Sequence, residues 1–277
     1  AGAFEFEAIR PHVLGNFADL LGAVERHPAM LLYLDQAESI GPDSPLAQRA
    51  ARGGRTRGLN ENLAREILEL HTLGVRTGYS QADVTELARA LTGWTVGGLA
   101  RQPVLRGPGP GFWFAAPIHQ PGSRNIMGKR YVQQGEAQGK AVLDDLARHP
   151  ATARHIATKL ARHFAADDPP PTLVNRLEQD FLRTEGDLKS LYQVLIAAPE
   201  VWSGTPKFRT PWDWTLATLR ATGVKALPGR TAAGAFQQLG QPIWKPGSPA
   251  GFDDVAASWA GPDAIYRRVE EIGRAHV

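Results

Sequence analysis

The sequence predicts an all-α protein, a multi-helix bundle carrying one long irregular insertion with room for a short β-hairpin. Three observations lead there. Apolar residues recur at helical spacing in segment after segment. Start and stop residues flank those segments. No run of alternating strands interrupts them, which argues against a doubly wound sheet.

Taken in order, Phe17 to Val24 and Pro28 to Leu34 read as short helices. Asn60 is a natural N-cap for a helix that Gly74 stops, with Leu63, Ile67, Leu70 and Leu73 on one arc. Ser80 and Asp83 form a capping box for a second helix with stripe Val84, Leu87, Ala88 and Leu91, ended by Gly93. Residues 94–135 hold Pro103, Pro108, Pro110, Pro117 and Pro121 among many glycines and cannot continue a helix. A hairpin pairing Phe112 to Ile118 with Asn125 to Tyr131 fits there.

Helices resume from Glu136 to His149, stopped by Pro150, and from Thr152 to Ala165 with Ile156, Leu160 and Phe164 inward. Another carries Leu173, Leu177 and Phe181, and Asp187 caps one with Leu188, Leu191, Tyr192 and Leu195. Thr210-Pro211-Trp212-Asp213 places an N-cap, a proline at N1 and an acid at N3, so a helix is expected from Pro211 to Thr222. Thr231 to Leu239 and Pro262 to Ile272 complete the set, separated by an irregular aromatic segment, 241–261. The whole is read as one helical domain spanning 1–277.

Composition narrows the function classes. With 31 Lys and Arg against 28 Asp and Glu, the net charge of +3 leaves no basic stripe, so a nucleic-acid partner is not expected. The chain has no cysteine, which removes disulfides, thiolate metal sites and thiol nucleophiles. No apolar run reaches the 18 or so residues that span a bilayer, so no transmembrane segment is expected. The opening Ala1-Gly2-Ala3 lacks methionine, so the segment is expected to be a processed product or a fragment of a longer protein.

Two polar groups fall inside the apolar arc of the first-named helix, Glu66 and His71. A sequestered carboxylate must be paired, hydrogen-bonded or protonated, so Glu66 reads as a structural partner of an arginine such as Arg89 or as a tuned acid or base. His71 reads first as a core histidine. The helical metal signatures His-Glu-x-x-His and Glu-x-x-His are missing, and so are Gly-x-Ser-x-Gly and phosphate-cradling glycine loops. The insertion gathers His119, Gln120, Ser123, Arg124, Lys129 and Arg130 among aromatics, the composition of a ligand pocket. Phe112, Trp113 and Phe114 serve equally as pins for that loop, as do Trp244, Phe252 and Trp259 for the later segment.

The text Asn60-Glu61-Asn62-Leu63-Ala64-Arg65-Glu66-Ile67-Leu68-Glu69-Leu70-His71-Thr72-Leu73-Gly74, with Tyr79 to Val84 and Ala88-Arg89-Ala90-Leu91-Thr92-Gly93-Trp94, resembles the bacterial domain-of-unknown-function 1800 family. His119 to Arg124, Met127-Gly128, Lys159-Leu160, Lys207-Phe208-Arg209-Thr210-Pro211 and the 239–252 stretch extend the likeness over nearly the whole chain. The resemblance implies export, to periplasm or beyond, with the N-terminal part of the same protein and an exported sulfatase-like protein as partners. It supplies no reaction and no cofactor. The family's loop commonly reads His-Asp-x-Gly-x-Lys, where this chain has Gln120 and Arg124. Many members carry Phe at the position of His71, which favours packing there.

The expected site lies between the 60–74 helix and the 94–135 loop. One reading is an exported binding or partner-dependent accessory protein, with Asn60, Glu61, Asn62, His71, Trp94 and Trp113 as ligand-binding candidates. The other is an enzyme of hydrolase or lyase type using Glu66 as acid or base with His119 and Arg124 orienting the substrate. Metal assistance at His119 with Glu61 or Glu66 is a variant of the second.

Overall fold

The computed structural model describes residues 2–54, 58–98, 106–204, 206–226 and 229–274, and these are mostly helical. They form two compact units, residues 1–157 with 175–196, and residues 158–174 with 197–277. Among the described residues no helix is long and apolar enough to cross a membrane.

In the first unit, α1 (Gly2–Phe4) runs into a π-helical turn (Glu5–Ile9), followed by α2 (Phe17–Arg26), α3 (Pro28–Tyr33) and α4 (Pro45–Arg52). Asn16 caps α2, its side chain accepting from Ala18 N at 2.9 Å. Backbone bonds Phe17 N to Gly186 O (2.8 Å) and Leu188 N to Gly15 O (2.9 Å) fasten the start of α2 to the turn before Leu188. The rings of Phe17 and Phe181 meet edge to face there.

The 60–74 helix differs from its expected form. It is α-helical only over α5 (Asn62–Glu66), then widens into a π-helical turn over Ile67–His71. Thr72 Oγ1 donates to Ile67 O at 2.6 Å and Gly74 N to Leu68 O at 3.2 Å, closing the wide turn. Because a π turn holds more residues than an α turn, a 100° wheel drawn through Glu66 misplaces everything after it.

Helix α6 (Gln81–Leu91) opens on the expected capping box. Asp83 does more than cap: its Oδ2 accepts from Ser80 N and Oγ, each at 2.7 Å, and its Oδ1 accepts from Met127 N at 2.6 Å. Burial alone would raise this carboxyl, but the bonds from Ser80 and Met127 outweigh it and hold the pKa below its usual value. Met127 and Gly128 both have positive φ, as a tight hairpin turn requires.

Within 94–135 the single expected hairpin is replaced by two. Strands β1 (Trp94–Gly97) and β2 (Gly111–Phe114) pair antiparallel, Trp94 opposite Phe114, and β3 (Arg124–Ile126) pairs with β4 (Lys129–Tyr131). Trp94-Thr95-Val96 is itself good strand sequence, released from α6 by Gly93 at φ +96. Beyond the strands, side chains take up the backbone groups. Gln138, fully buried, donates to the carbonyls of Gly122, Tyr131 and Gln133 at 3.0 to 3.3 Å. Gln120 lies between Asp43 and Thr92 Oγ1.

The unit closes with α7 (Glu136–Ala147), the first part of α8 (Pro150–Phe164) and the later part of α9 (Pro171–Arg183), then α10 (Leu188–Ala197). Pro150 starts a helix rather than only ending one. In α8 the buried stripe is Ala153, Ala157 and Ala161, continued by Ala165 just past its end; of the expected inward face, Ile156 and Leu160 are half-buried and Phe164 is exposed. The stripe Leu173, Leu177 and Phe181 on α9 is buried as expected.

The second unit holds α11 (Pro199–Ser203), α12 (Pro211–Thr222), α13 (Gly229–Gln238), α14 (Ala256–Trp259) and α15 (Pro262–Arg274), and two cations anchor it, Lys207 and Arg268. Lys207 Nζ donates to the carbonyls of Arg162 and Asp254 at 2.7 Å and sits 3.3 Å from Asp167 and 3.1 Å from Asp254 carboxylates. Arg268 is buried against the rings of Phe208 and Trp214 and donates to Arg209 O at 2.9 Å. Thr210 caps α12 as expected. Trp259 is a pin, its Nε1 donating to Asp253 O at 2.7 Å, whereas Trp244 is exposed.

Asp83→Ala should destabilise the protein by about 2 kcal/mol in urea unfolding, combining a lost cap with an unpaired Met127 amide. Ser80→Ala should remove only about 1 kcal/mol. Equal losses would mean the hairpin turn draws nothing from Asp83.

Candidate functional site

Among the described residues, Glu25 rather than Glu66 is the carboxylate that the fold sequesters completely. Phe17, Leu21 and Glu25 form the buried stripe of α2, and Glu25 is 0% exposed. Its partner is His71, whose Nδ1 approaches Glu25 Oε1 to 2.8 Å from the end of the π turn, with the imidazole side chain 22% exposed. The approach lies off good hydrogen-bond geometry, and Glu25 Oε2 has no hydrogen-bond partner. His71 therefore stands beside a buried acid rather than alone on an apolar face. The missed signal was the i, i+4, i+8 spacing of Phe17, Leu21 and Glu25.

Glu66 is half-buried. Burial raises its pKa, while the neighbouring charges that bear on it are His71, Glu69 and Arg65. Arg89 pairs with Glu86 instead. Glu61 belongs to a lattice between α5 and α6, accepting from Thr85 Oγ1 at 2.7 Å and Gln81 Nε2 at 2.8 Å. The Thr85 bond leads the effects that lower its pKa, against the opposing pull of burial. Asn60 Oδ1 accepts from Asn62 N at 2.8 Å, starting the helix, and Asn62 is exposed.

His119 and Arg124 do come together. Burial lowers the His119 pKa, the bond from Nδ1 to Thr92 O at 2.7 Å opposes it, and the Arg124 charge adds to the lowering. The acid beside Arg124 is Glu86, 3.4 Å from Nη1, and Arg124 Nη2 donates to Pro121 O at 2.5 Å. Trp113 packs beside a small core of Ile40, Ala47, Ala115 and Ile118, the pinning role weighed from sequence. Among the described residues no three His, Asp or Glu side chains gather as a metal site.

Trp94 takes part in a true cleft, though its other wall is α2 and α7 rather than the 60–74 helix. The cleft has a volume of about 510 Å³ and is lined by residues including Asp19, Arg26, His27, Phe112, Lys140 and Asp144. Trp94 is fully buried in its floor, edge to face with Phe112 at 5.5 Å, and its Nε1 has no hydrogen-bond partner. The indole fits because Gly139 has no side chain: a Cβ there would stand 3.0 Å from Trp94 Cζ2. Arg26 stacks its guanidinium 4.3 Å above the Phe112 ring while Nη2 donates to Glu136 Oε1 at 2.6 Å. Lys140 pairs with Asp144 at 2.7 Å and His27 with Glu7 at 3.3 Å.

A family model described as a protein of unknown function, DUF1800, matches residues 1–275. No curated protein and no solved structure matches the chain.

Two outcomes check this geometry. His71→Phe should cost about 3 kcal/mol by stranding a buried carboxylate, and adding Glu25→Leu should recover most of it in a double-mutant cycle. Additive losses would mean the two side chains are not coupled. For His119, the folded imidazole holds its proton less tightly than the unfolded one, so stability is full at neutral pH and falls as pH drops below about 6.5. The urea midpoint should drop more between pH 7.5 and 5 in the wild type than in His119→Gln; identical drops would contradict it.

Proposed function

The chain belongs to this family of proteins of unknown function, so its role rests on its own geometry, and we propose that it binds a small polar organic molecule in the cleft between α2, α7 and the β1–β2 hairpin. The volume of about 510 Å³ lies in the range of ligand pockets. One observation carries the choice of ligand class: the two permanent cations of the wall already have a carboxylate, Arg26 with Glu136 and Lys140 with Asp144. A wall whose arginine and lysine are already paired offers little field to a strongly anionic guest. Its fixed donors and acceptors, with Phe112 as an apolar surface, favour an uncharged hydroxyl-rich molecule or a zwitterion.

The test is saturation-transfer NMR with a panel of mono- and disaccharides, polyols and zwitterionic amino acids. Binding by one of these classes, weakened about tenfold in Phe112→Ala by loss of the apolar contact, is expected. Binding that Phe112→Ala and Asp19→Ala leave unchanged, or no binding in either class, would overturn the assignment.

A further inference from the structure

From a separate feature of the first unit, we infer that Arg89 and Arg124 form an oxyanion-binding site that Glu86 partly occupies. The two guanidiniums share that one carboxylate: Arg89 Nη1 donates to Glu86 Oε1, and Arg124 Nη1 reaches Oε2 only at 3.4 Å. Arg124 is 8% exposed, and a guanidinium has five N–H donors and no neutral form to retreat to. Its hydrogen bonds go to Pro121 O and, at that long distance, to Glu86. The Nε atoms of Arg124 and Arg89 are both buried and without hydrogen-bond partners.

A buried ionic donor left unmatched is expensive, so the natural complement is an acceptor with two or more oxygens spanning both side chains. The approach is through Arg89 and Glu86, whose side chains are 34% and 21% exposed. His119, beside Arg124, has Nδ1 held by Thr92 O and so does not quench the charge. The ligand class is a carboxylate or phosphate group, and Glu86 is an internal competitor for it.

Isothermal titration at constant ionic strength, with chloride as control, uses inorganic phosphate in one arm and acetate and citrate in the other. The wild type should bind phosphate or the carboxylates in preference to chloride, and the stronger arm names the source. Arg89→Ala should weaken binding about tenfold without altering the fold, as expected for one lost charged contact. Glu86→Gln should strengthen it by a similar factor, because removing the competitor frees both guanidiniums; a purely structural Glu86 would not do so. Should Arg124→Gln fail to fold, those two variants still decide the matter. No preference over chloride, or equal affinity in the wild type, Arg89→Ala and Glu86→Gln, overturns the site.

Discussion

Backbone groups that leave water must find partners, and that demand shapes the insertion. Among its described residues, four short strands leave many amides and carbonyls outside a ladder, and side chains from neighbouring helices and loops take some of them. Asp83 takes the Met127 amide, Gln138 takes three carbonyls, and Gln120 is held between Asp43 and Thr92. Two further bonds, Gln36 to Leu91 O and Thr95 to Ala37 O, extend the pattern to the residues around β1. The described part of the insertion is thus fixed within the first unit, and its aromatic residues sit in defined places. Along β2, Phe112 joins Trp94 and Arg26, Trp113 joins the small core near Ile40, and Phe114 meets His119.

Much of the helical plan was legible in the sequence because it depends on neighbours three or four residues apart. The Ser80–Asp83 box, the Thr210-Pro211 start and the Leu173, Leu177, Phe181 face are local patterns with local causes. What escaped depends on departures from ideal period or on distant partners. The π turn after Glu66 altered the phase of the wheel, so the acid placed in the interior proved half-buried. The alanine stripe of α8 gave too weak an apolar signal to compete with Ile156, Leu160 and Phe164. Trp94 looked like the first residue of a loop because its strand partner lies on the far side of the proline-rich segment.

The candidate site was legible in part for the same reason. Sequence drew attention to His119 and Arg124, and they are neighbours, but their acid is Glu86, which helical spacing shows only as an ordinary surface companion of Arg89. The cleft wall depends on α2, whose outer face carries Asp19 and Arg26 while its inner face buries Glu25. A ten-residue helix thereby contributes to the interior with one acid and to the cleft with another.

The notch at Gly139 sets the depth of the cleft from behind. The indole of Trp94 occupies space that any side chain on that helix position would claim, so even a methyl group there would press the ring forward. Two relatives with the same lining residues could then admit guests of different girth, having diverged only at a position no guest would touch. Selectivity in such a fold can drift through its scaffold while its visible chemistry stays constant.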